Sequence, residues 1–513
     1  MKTPFHGIVA PYTLRSNIVY FHDWRYVSTG GYGWLGPNGE RVPMMGPGEV
    51  PAMHYDYYDM PLGIHLKAEP ARKSEPVLSA ATTGDVTLFA GSLIREDGVY
   101  RLWYESWLRE DFERGRAGTY NAMRYAESSD AVHWKLPPVG RLKFRGERNH
   151  NVVYGAGYMK STGYHGGSVF RDPSAPRAER YKAFHLGVIS KESYASLRPK
   201  HRGELDLLNE HAFQRDGELW VLCGAVSPDG FRWRALREPV SLHHSDTHNV
   251  CEYDPFLGQY VAYVRTWYFC RRTIGRMASA DFRRFPIPEE LFWPDAGQAP
   301  YDTWYANGKT TMPDAPDYHV MFPMRWSLPT DHFEFHLAAS PDNVVWGFVP
   351  GGAVCSPGEP GSWDSGVVSP GHGMVELPGN RIGILYCGTP VPHKYPRRPP
   401  LGALAWAWWP KGRLVALKAP LEGSFALWPL LFKGRTVHLN FRTTMTGHIQ
   451  VEALADGKVL PGRSFADCDR LAGDALDQLV TWKGQTDLGH KDGQAVVLRF
   501  RMRNADLYSV AFR

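Results

Sequence analysis

No apolar run in this chain is long enough to cross a bilayer as a helix, so no transmembrane helix is expected. The N-terminus, Met1-Lys-Thr-Pro-Phe-His-Gly7, lacks the apolar stretch of a signal peptide, and the expected location is the cytoplasm. Cysteine is scarce and scattered. Cys223, Cys251, Cys270, Cys355, Cys387 and Cys468 stand singly, and no Cys-x-x-Cys pair occurs. This argues against a zinc site and for buried free thiols in a reducing compartment. An excess of one charge is also missing. Lys and Arg number 58 against 53 Asp and Glu, a net charge of +5. The basic residues are scattered, apart from small clusters such as Arg271-Arg272 and Lys394-Tyr-Pro-Arg-Arg398. That excludes the footprint of a nucleic-acid partner. No spacing of His, Cys or acids is diagnostic of a metal, and no cofactor is expected.

Aromatics are abundant, at 13% of 513 residues with 18 Trp. Trp and Tyr favour strands, and they offer flat surfaces on which sugars stack. They recur in register. The strands Tyr100-Arg-Leu-Trp-Tyr104, Arg180-Tyr-Lys-Ala-Phe-His185, Gln259-Tyr-Val-Ala-Tyr-Val-Arg265, Tyr318-His-Val-Met-Phe-Pro-Met-Arg325 and Arg381-Ile-Gly-Ile-Leu-Tyr-Cys-Gly388 each follow a turn. Those turns carry Asp97-Gly98, Asp172-Pro173, Asp254-Pro255, Asp314-Ala-Pro-Asp317 and Pro378-Gly-Asn380. After four of the strands comes a Ser-x-Asp element with an aromatic: Ser128…Asp130…Trp134, Ser227…Asp229…Trp233, Ser279…Asp281…Phe285 and Ser340…Asp342…Trp346. A repeat of roughly 40–50 residues with several strands per unit predicts a β-propeller.

The expected fold is therefore all-β: a five-bladed β-propeller over residues 81–418, followed by a C-terminal β-sandwich over 419–513. Residues 1–80 are rich in Gly, Pro and Tyr, and are expected to supply a ring-closing strand and loops that cover the propeller. An insertion in blade two, near Lys191–Leu219, carries Glu204-Leu-Asp-Leu-Leu-Asn-Glu210, which reads as a short helix.

Blade geometry narrows the chemistry. The innermost strand of each blade starts on the rim where its antiparallel neighbour ends, so both ends face one axial funnel. Asp97, Asp172, Asp254 and Asp314 then fall in turns on the far rim, where they bond backbone amides. The near rim collects Glu105 and Trp107 from blade one, and His165 and His185 from blade two. It also collects Asp246, His248 and Arg265 from blade three, Asp302, Tyr305 and Arg325 from blade four, and Asp364 from blade five. Glu105, Asp246 and Asp302 are the catalytic candidates and the others substrate-binding candidates. Carboxylates ringed by His, Arg, Tyr and Trp suit glycosidic bond cleavage, in which one carboxyl protonates the leaving oxygen and another activates water or attacks.

Tyr100-Arg-Leu-Trp-Tyr104 and Tyr125-Ala-Glu-Ser-Ser-Asp-Ala-Val-His-Trp134 resemble the five-bladed propeller glycoside hydrolases around families 32 and 43. A sandwich after the propeller resembles family 32. The resemblance implies one acid on each of the first three blades and a carbohydrate substrate. Phe170-Arg-Asp-Pro173 is similar to the family's Arg-Asp-Pro motif, and Cys251-Glu252 holds its Glu and Cys in reverse order. The Trp-Met-Asn-Asp-Pro motif is absent, and Arg171-Asp172-Pro173 aligns here with the turn Asp254-Pro255, so catalytic positions carry over only as blade locations. Two other readings remain open: a polysaccharide lyase using His165, His185, Tyr305 and Arg265, and a non-catalytic sugar-binding propeller.

Overall fold

A computed structural model describes residues 10–35, 41–42, 54–114, 121–141, 144, 146–147, 149–155, 164–201, 218–292, 297–395 and 401–513. The helix expected over Glu204–Glu210 lies outside the described residues. The protein is almost entirely β. Its described α-helices, Ala80–Thr83, Arg109–Glu113 and Lys191–Leu197, are short connectors.

Antiparallel sheets follow one another along the chain. The first joins Leu88–Glu96, Val99–Trp107, Asn121–Ser128 and Val152–Gly155. The second joins His165–Arg171, Tyr181–Ser190, Glu218–Ser227 and Arg234–Ala235. The third joins Val250–Asp254, Gln259–Tyr268, Arg271–Ser279 and Glu289–Glu290. The fourth unit is split. Asp302–Ala306 pairs with Met324–Ser327, whereas Thr310–Met312 pairs with Ala315–Met321. The run Tyr318–Arg325, read from sequence as one strand, therefore divides at Phe322-Pro323, because proline has no amide to continue a ladder. The last sheet centres on Arg381–Thr389 and Ala403–Pro410. Its outer edge comes from the N-terminal segment, through Arg72–Lys73 and Leu78–Ser79.

The recurring Ser-x-Asp element has one local cause. At Ser128–Asp130 the serine hydroxyl accepts the amide of Ala131 (2.9 Å), and Asp130 accepts those of Val132 (2.9 Å) and His133 (2.8 Å). Asp229 and Asp342 cap the same turn in the same way. Side-chain oxygens satisfy amides that the tight turn leaves unpaired.

Aromatic layers fill the gaps between neighbouring sheets. Trp103, Tyr125 and Tyr181 join the first to the second. Phe170, Phe184 and Phe285 join the second to the third. Tyr263 and Trp304 join the third to the fourth. Leu88, Tyr100, Leu385 and Trp406 join the first to the last. A second set of links joins successive sheets. Val169 N–H donates to Ser92 Oγ (2.7 Å), and Cys251 N–H donates to Ser168 Oγ (3.0 Å). Asn307 Nδ2 donates to the carbonyls of His248 (3.0 Å) and Tyr263 (3.2 Å). Met374 N–H donates to Thr310 Oγ1 (2.8 Å), and the His372 amide returns to Gly91 O (2.9 Å).

A nine-stranded sheet holds the C-terminal residues. Its two longest strands are Val437–Ala455 and Val496–Phe512. Their mutual register slips between Thr443 and His448, which bends the ribbon without ending it. Tyr12–Thr13, Ile18–Tyr20 and His65–Ala68 also enter this sheet.

Trp103 tests the inter-sheet layer. It is fully buried, and its indole donates to the carbonyl of Gly230 on the next sheet (2.8 Å). Trp103→Ala should cost about 3–5 kcal/mol, from the cavity left between the two sheets. Chemical denaturation reads this directly; an unchanged midpoint would remove the layer from the stability argument.

Candidate active site

Glu105 is a buried carboxylate held by four donors. It lies on Val99–Trp107, just past a register slip between Trp103 and Glu105 that re-aims the side chain. Its Oε1 accepts from Asn121 Nδ2 (2.6 Å), Trp107 Nε1 (3.2 Å) and His165 Nδ1 (2.7 Å). Its Oε2 accepts the amide of Gly166 (2.7 Å). Burial pushes the carboxyl up, but His165 and these donors together hold it below the usual carboxylate range. Glu105 is thus a fixed anion, with its acceptor positions occupied.

His165 begins the inner strand of the second sheet, also at a register slip, between His165 and Ser168. Its other nitrogen, Nε2, lies 3.8 Å from Asp246 Oδ1. One imidazole therefore stands between two carboxylates from different sheets. His165 and Asp246 keep 28% and 23% of their side chains exposed, against 5% for Glu105, so they are the pair a ligand can reach.

Asp246 is set by its own loop. Asn249 Nδ2 donates to Asp246 O (2.6 Å), Ser245 Oγ donates to Asn249 Oδ1 (2.6 Å), and the Arg265 amide donates to Ser245 Oγ (3.1 Å). Arg265 is 1% exposed, and its Nη1 donates to Asp246 Oδ2 (3.1 Å). Its remaining donors reach the carbonyls of Thr247 and Tyr305. Burial raises the Asp246 carboxyl, but Arg265 first, then His165, Arg272 and His244, hold it below its ordinary range. Tyr305 sits at a third register slip, between Trp304 and Ala306, with its ring 4.2 Å from the Arg265 guanidinium carbon. Burial first, then the Asp246 charge, raise the phenol, so it remains protonated and donates.

Glu105, His165, Asp246, Arg265, Tyr305 and Trp107 thus form one contiguous group. Other expected members have partners of their own. The Asp302 carboxyl faces Arg325 at 3.9 Å, and Arg325 in turn pairs with Glu334 at 2.6 Å. Asp364 accepts from Lys73 Nζ (2.8 Å) and the Tyr386 hydroxyl (2.9 Å), which ties the N-terminal edge strand to the last sheet. His185 lies behind the site, with Nδ1 on Leu186 O (2.8 Å) and Nε2 on the Tyr154 hydroxyl (3.2 Å). His248 is buried edge-on against His372, ring centroids 5.3 Å apart. Among the described residues, no group of three or more His, Cys, Asp or Glu is arranged to hold a metal ion. Sequence reasoning missed Asn121, Arg272 and His393. Arg272 stood out only as half of an Arg-Arg pair, and His393 approaches the Tyr305 hydroxyl at 3.2 Å.

Two predictions follow the geometry. Gly166 has φ +54°, and a Cβ there would lie 2.4 Å from Thr247 Cγ2 and 3.0 Å from Thr247 Cα. Gly166→Ala should push the Asp246 loop away and cost about 1–3 kcal/mol; an unshifted melting temperature would show the loop yields freely. Separately, burial lowers His185 and His248 from 6.5 to about 4. The unfolded chain then takes up protons first as pH falls. Stability is complete above about pH 6.5 and is lost toward pH 4. Thermal melts across that window should fall steadily; a flat profile would contradict it.

No protein-family model matches the chain, and no curated protein matches it. Among solved structures it is similar to a family 32 β-fructofuranosidase of Bombyx mori, at 9% identity over 87% of this chain and 93% of that one, with a TM-score of 0.37. It is also similar to an exo-inulinase from Aspergillus awamori, at 11% identity over 87% and 98%, TM-score 0.38. An endo-arabinase from Bacteroides thetaiotaomicron matches at 11% identity over 65% and 97%, TM-score 0.39. These solved neighbours are glycoside hydrolases, and at this level of identity and superposition none of them assigns a role to any residue here.

Proposed function

We propose that the chain is a glycoside hydrolase whose active centre is the Glu105–His165–Asp246 group. The reading takes the successive sheets as five blades of a propeller over residues 81–418, closed by the N-terminal strands and followed by a β-sandwich over 419–513. The return of the last sheet onto the first, through the His372 amide and Gly91 O, supports the ring. In this reading the three site residues belong to blades one, two and three.

The observation that carries the proposal is the imidazole of His165 between two carboxylates, 2.7 Å from Glu105 and 3.8 Å from Asp246. Cleavage of a glycosidic bond needs a proton delivered to the leaving oxygen and a base for the attacking water. Asp246, kept anionic and partly exposed, takes the water's proton. His165, oriented by Glu105 through Nδ1, supplies the proton to the leaving oxygen from Nε2. Glu105 acts as a positioning residue, because four donors already occupy its oxygens. Asp302 is left to support Arg325.

A second reading, β-elimination from a uronate, is favoured by one feature. Both carboxylates are held anionic, while His165, Tyr305 and Arg265 stand together as base, acid and charge neutraliser. The products separate the two: an unsaturated, ultraviolet-absorbing end group marks elimination, and a new reducing end without it marks hydrolysis.

Asp246→Asn should abolish turnover on a panel of aryl glycosides and plant and algal glycans in a chain that still folds, with a lowered melting temperature because buried Arg265 loses its carboxylate. Glu105→Gln should lower kcat by about 10²–10⁴ and shift the pH profile, since it acts through His165. Full activity in Asp246→Asn would reject the assignment. Glycan binding with no turnover by the wild type would favour a non-catalytic sugar-binding protein.

A further inference from the structure

Two arginines stand side by side next to the site, and only one has a counter-charge. In the paired strands Gln259–Tyr268 and Arg271–Ser279, Arg265 lies opposite Ile274 and Trp267 opposite Arg272. Arg265 and Arg272 are therefore diagonal neighbours on one face. Arg265 is met by Asp246 and two carbonyls. Arg272 makes no ion pair or hydrogen bond to any described residue, and its Nε is shut away from solvent with no acceptor. Its guanidinium carbon lies 5.7 Å from the Tyr305 ring centroid and 5.1 Å from that of Trp326. The ammonium of Lys394 lies 5.3 Å from the same Trp326 ring. The nearby carboxylate of Asp331 is already taken, by Trp326 Nε1 (2.7 Å) and the amide of Lys394 (2.6 Å).

A half-buried guanidinium without an anion is costly to keep. Burial, and then the adjacent Arg265 charge, lower its pKa, with Tyr305 and Asp246 only partly compensating. Aromatic rings hold the cation by its π-contacts, while its planar fork of N–H donors is unfilled. That fork matches an oxyanion with two oxygens in one plane.

Resting on the reading of this site as a carbohydrate site, we infer that Arg272 receives the oxyanion of an acidic sugar, a uronate carboxylate or a sulfate ester, bound beside His165 and Asp246. Arg272 is then a specificity-determining residue, and the preferred substrates are acidic rather than neutral glycans. The ligand's negative charge supplies the partner that the fold omits, and Tyr305 and Trp326 fix the direction of approach.

Isothermal titration with three series tests this: short oligouronates, their carboxyl-reduced neutral counterparts, and sulfated galactan oligomers. Each is titrated into the wild-type protein and Arg272→Gln. The wild type should bind an acidic member at least about tenfold more tightly than its neutral partner, with a preference that shrinks as salt rises. Arg272→Gln should lose that preference while retaining affinity for the neutral member. A preference for the uronate or for the sulfated series identifies which oxyanion is read. Equal affinity for acidic and neutral partners in the wild type overturns the inference, even if Arg272→Gln fails to fold. Acid-selective binding without hydrolysis sinks the proposed reaction and leaves this inference standing. Turnover of neutral glycans with no acid preference does the reverse, and absence of any glycan binding overturns both.

Discussion

The successive sheets of this protein are tied to one another mostly by side chains. Neighbouring sheets do not share a ladder, so each inner strand presents amides that only a side-chain oxygen or a stray carbonyl from the next sheet can satisfy. Ser92, Ser168 and Thr310 supply such oxygens, and Asn307 works in the opposite sense by donating to His248 O and Tyr263 O. The return from His372 to Gly91 completes the circuit. Because hydrogen bonds tolerate little error in distance or angle, this circuit sets how far apart the sheets stand, and the aromatic layers then fill the space so defined.

That spacing makes a buried carboxylate affordable at the centre. Glu105 on the first sheet finds its donors on the second, at His165 Nδ1 and Gly166 N, and on its own sheet, at Asn121 and Trp107. Taking an ion out of water carries a penalty of several kcal/mol, and only such a set of donors offsets it. Asp246 is treated differently. It has one strong buried cation, Arg265, and one open side. The asymmetry between a saturated acid and an accessible one is what gives the group its direction, with Glu105 behind, His165 between and Asp246 in front.

Glu105, His165 and Tyr305 each stand at a slip of strand register. A regular strand would send alternate side chains to its two faces. The slips turn these side chains along the strand axis, toward the place where sheets meet. Gly166, in a left-handed conformation and against Thr247, lets two backbones approach closely enough for the second sheet to reach the Asp246 loop. The candidate site is assembled from irregularities in an otherwise repetitive fold.

Much of the repetition was written in the chain. The Ser-x-Asp elements announce their turns because the hydrogen bonds involved span only a few residues, and the aromatic alternation announces strands for the same local reason. Glu105, His165, Asp246, Arg265 and Tyr305 were legible as candidates through their place near strand ends. Their partners were not. Asp302 and Asp364 share that kind of position, yet Arg325 and Lys73 draw them into ion pairs, and Lys73 lies almost three hundred residues from Asp364 in sequence. Nor did the text reveal that Tyr12–Thr13, Ile18–Tyr20 and His65–Ala68 would complete a sheet made by the other end of the chain. The sequence by itself determined an all-β chain, its turns and the residue types available for chemistry, since those depend on neighbours a few positions apart. Which acid is saturated, which stays open and which arginine lacks a counter-charge was decided only by the tertiary structure, because charge is settled by what lies within a few ångströms in space.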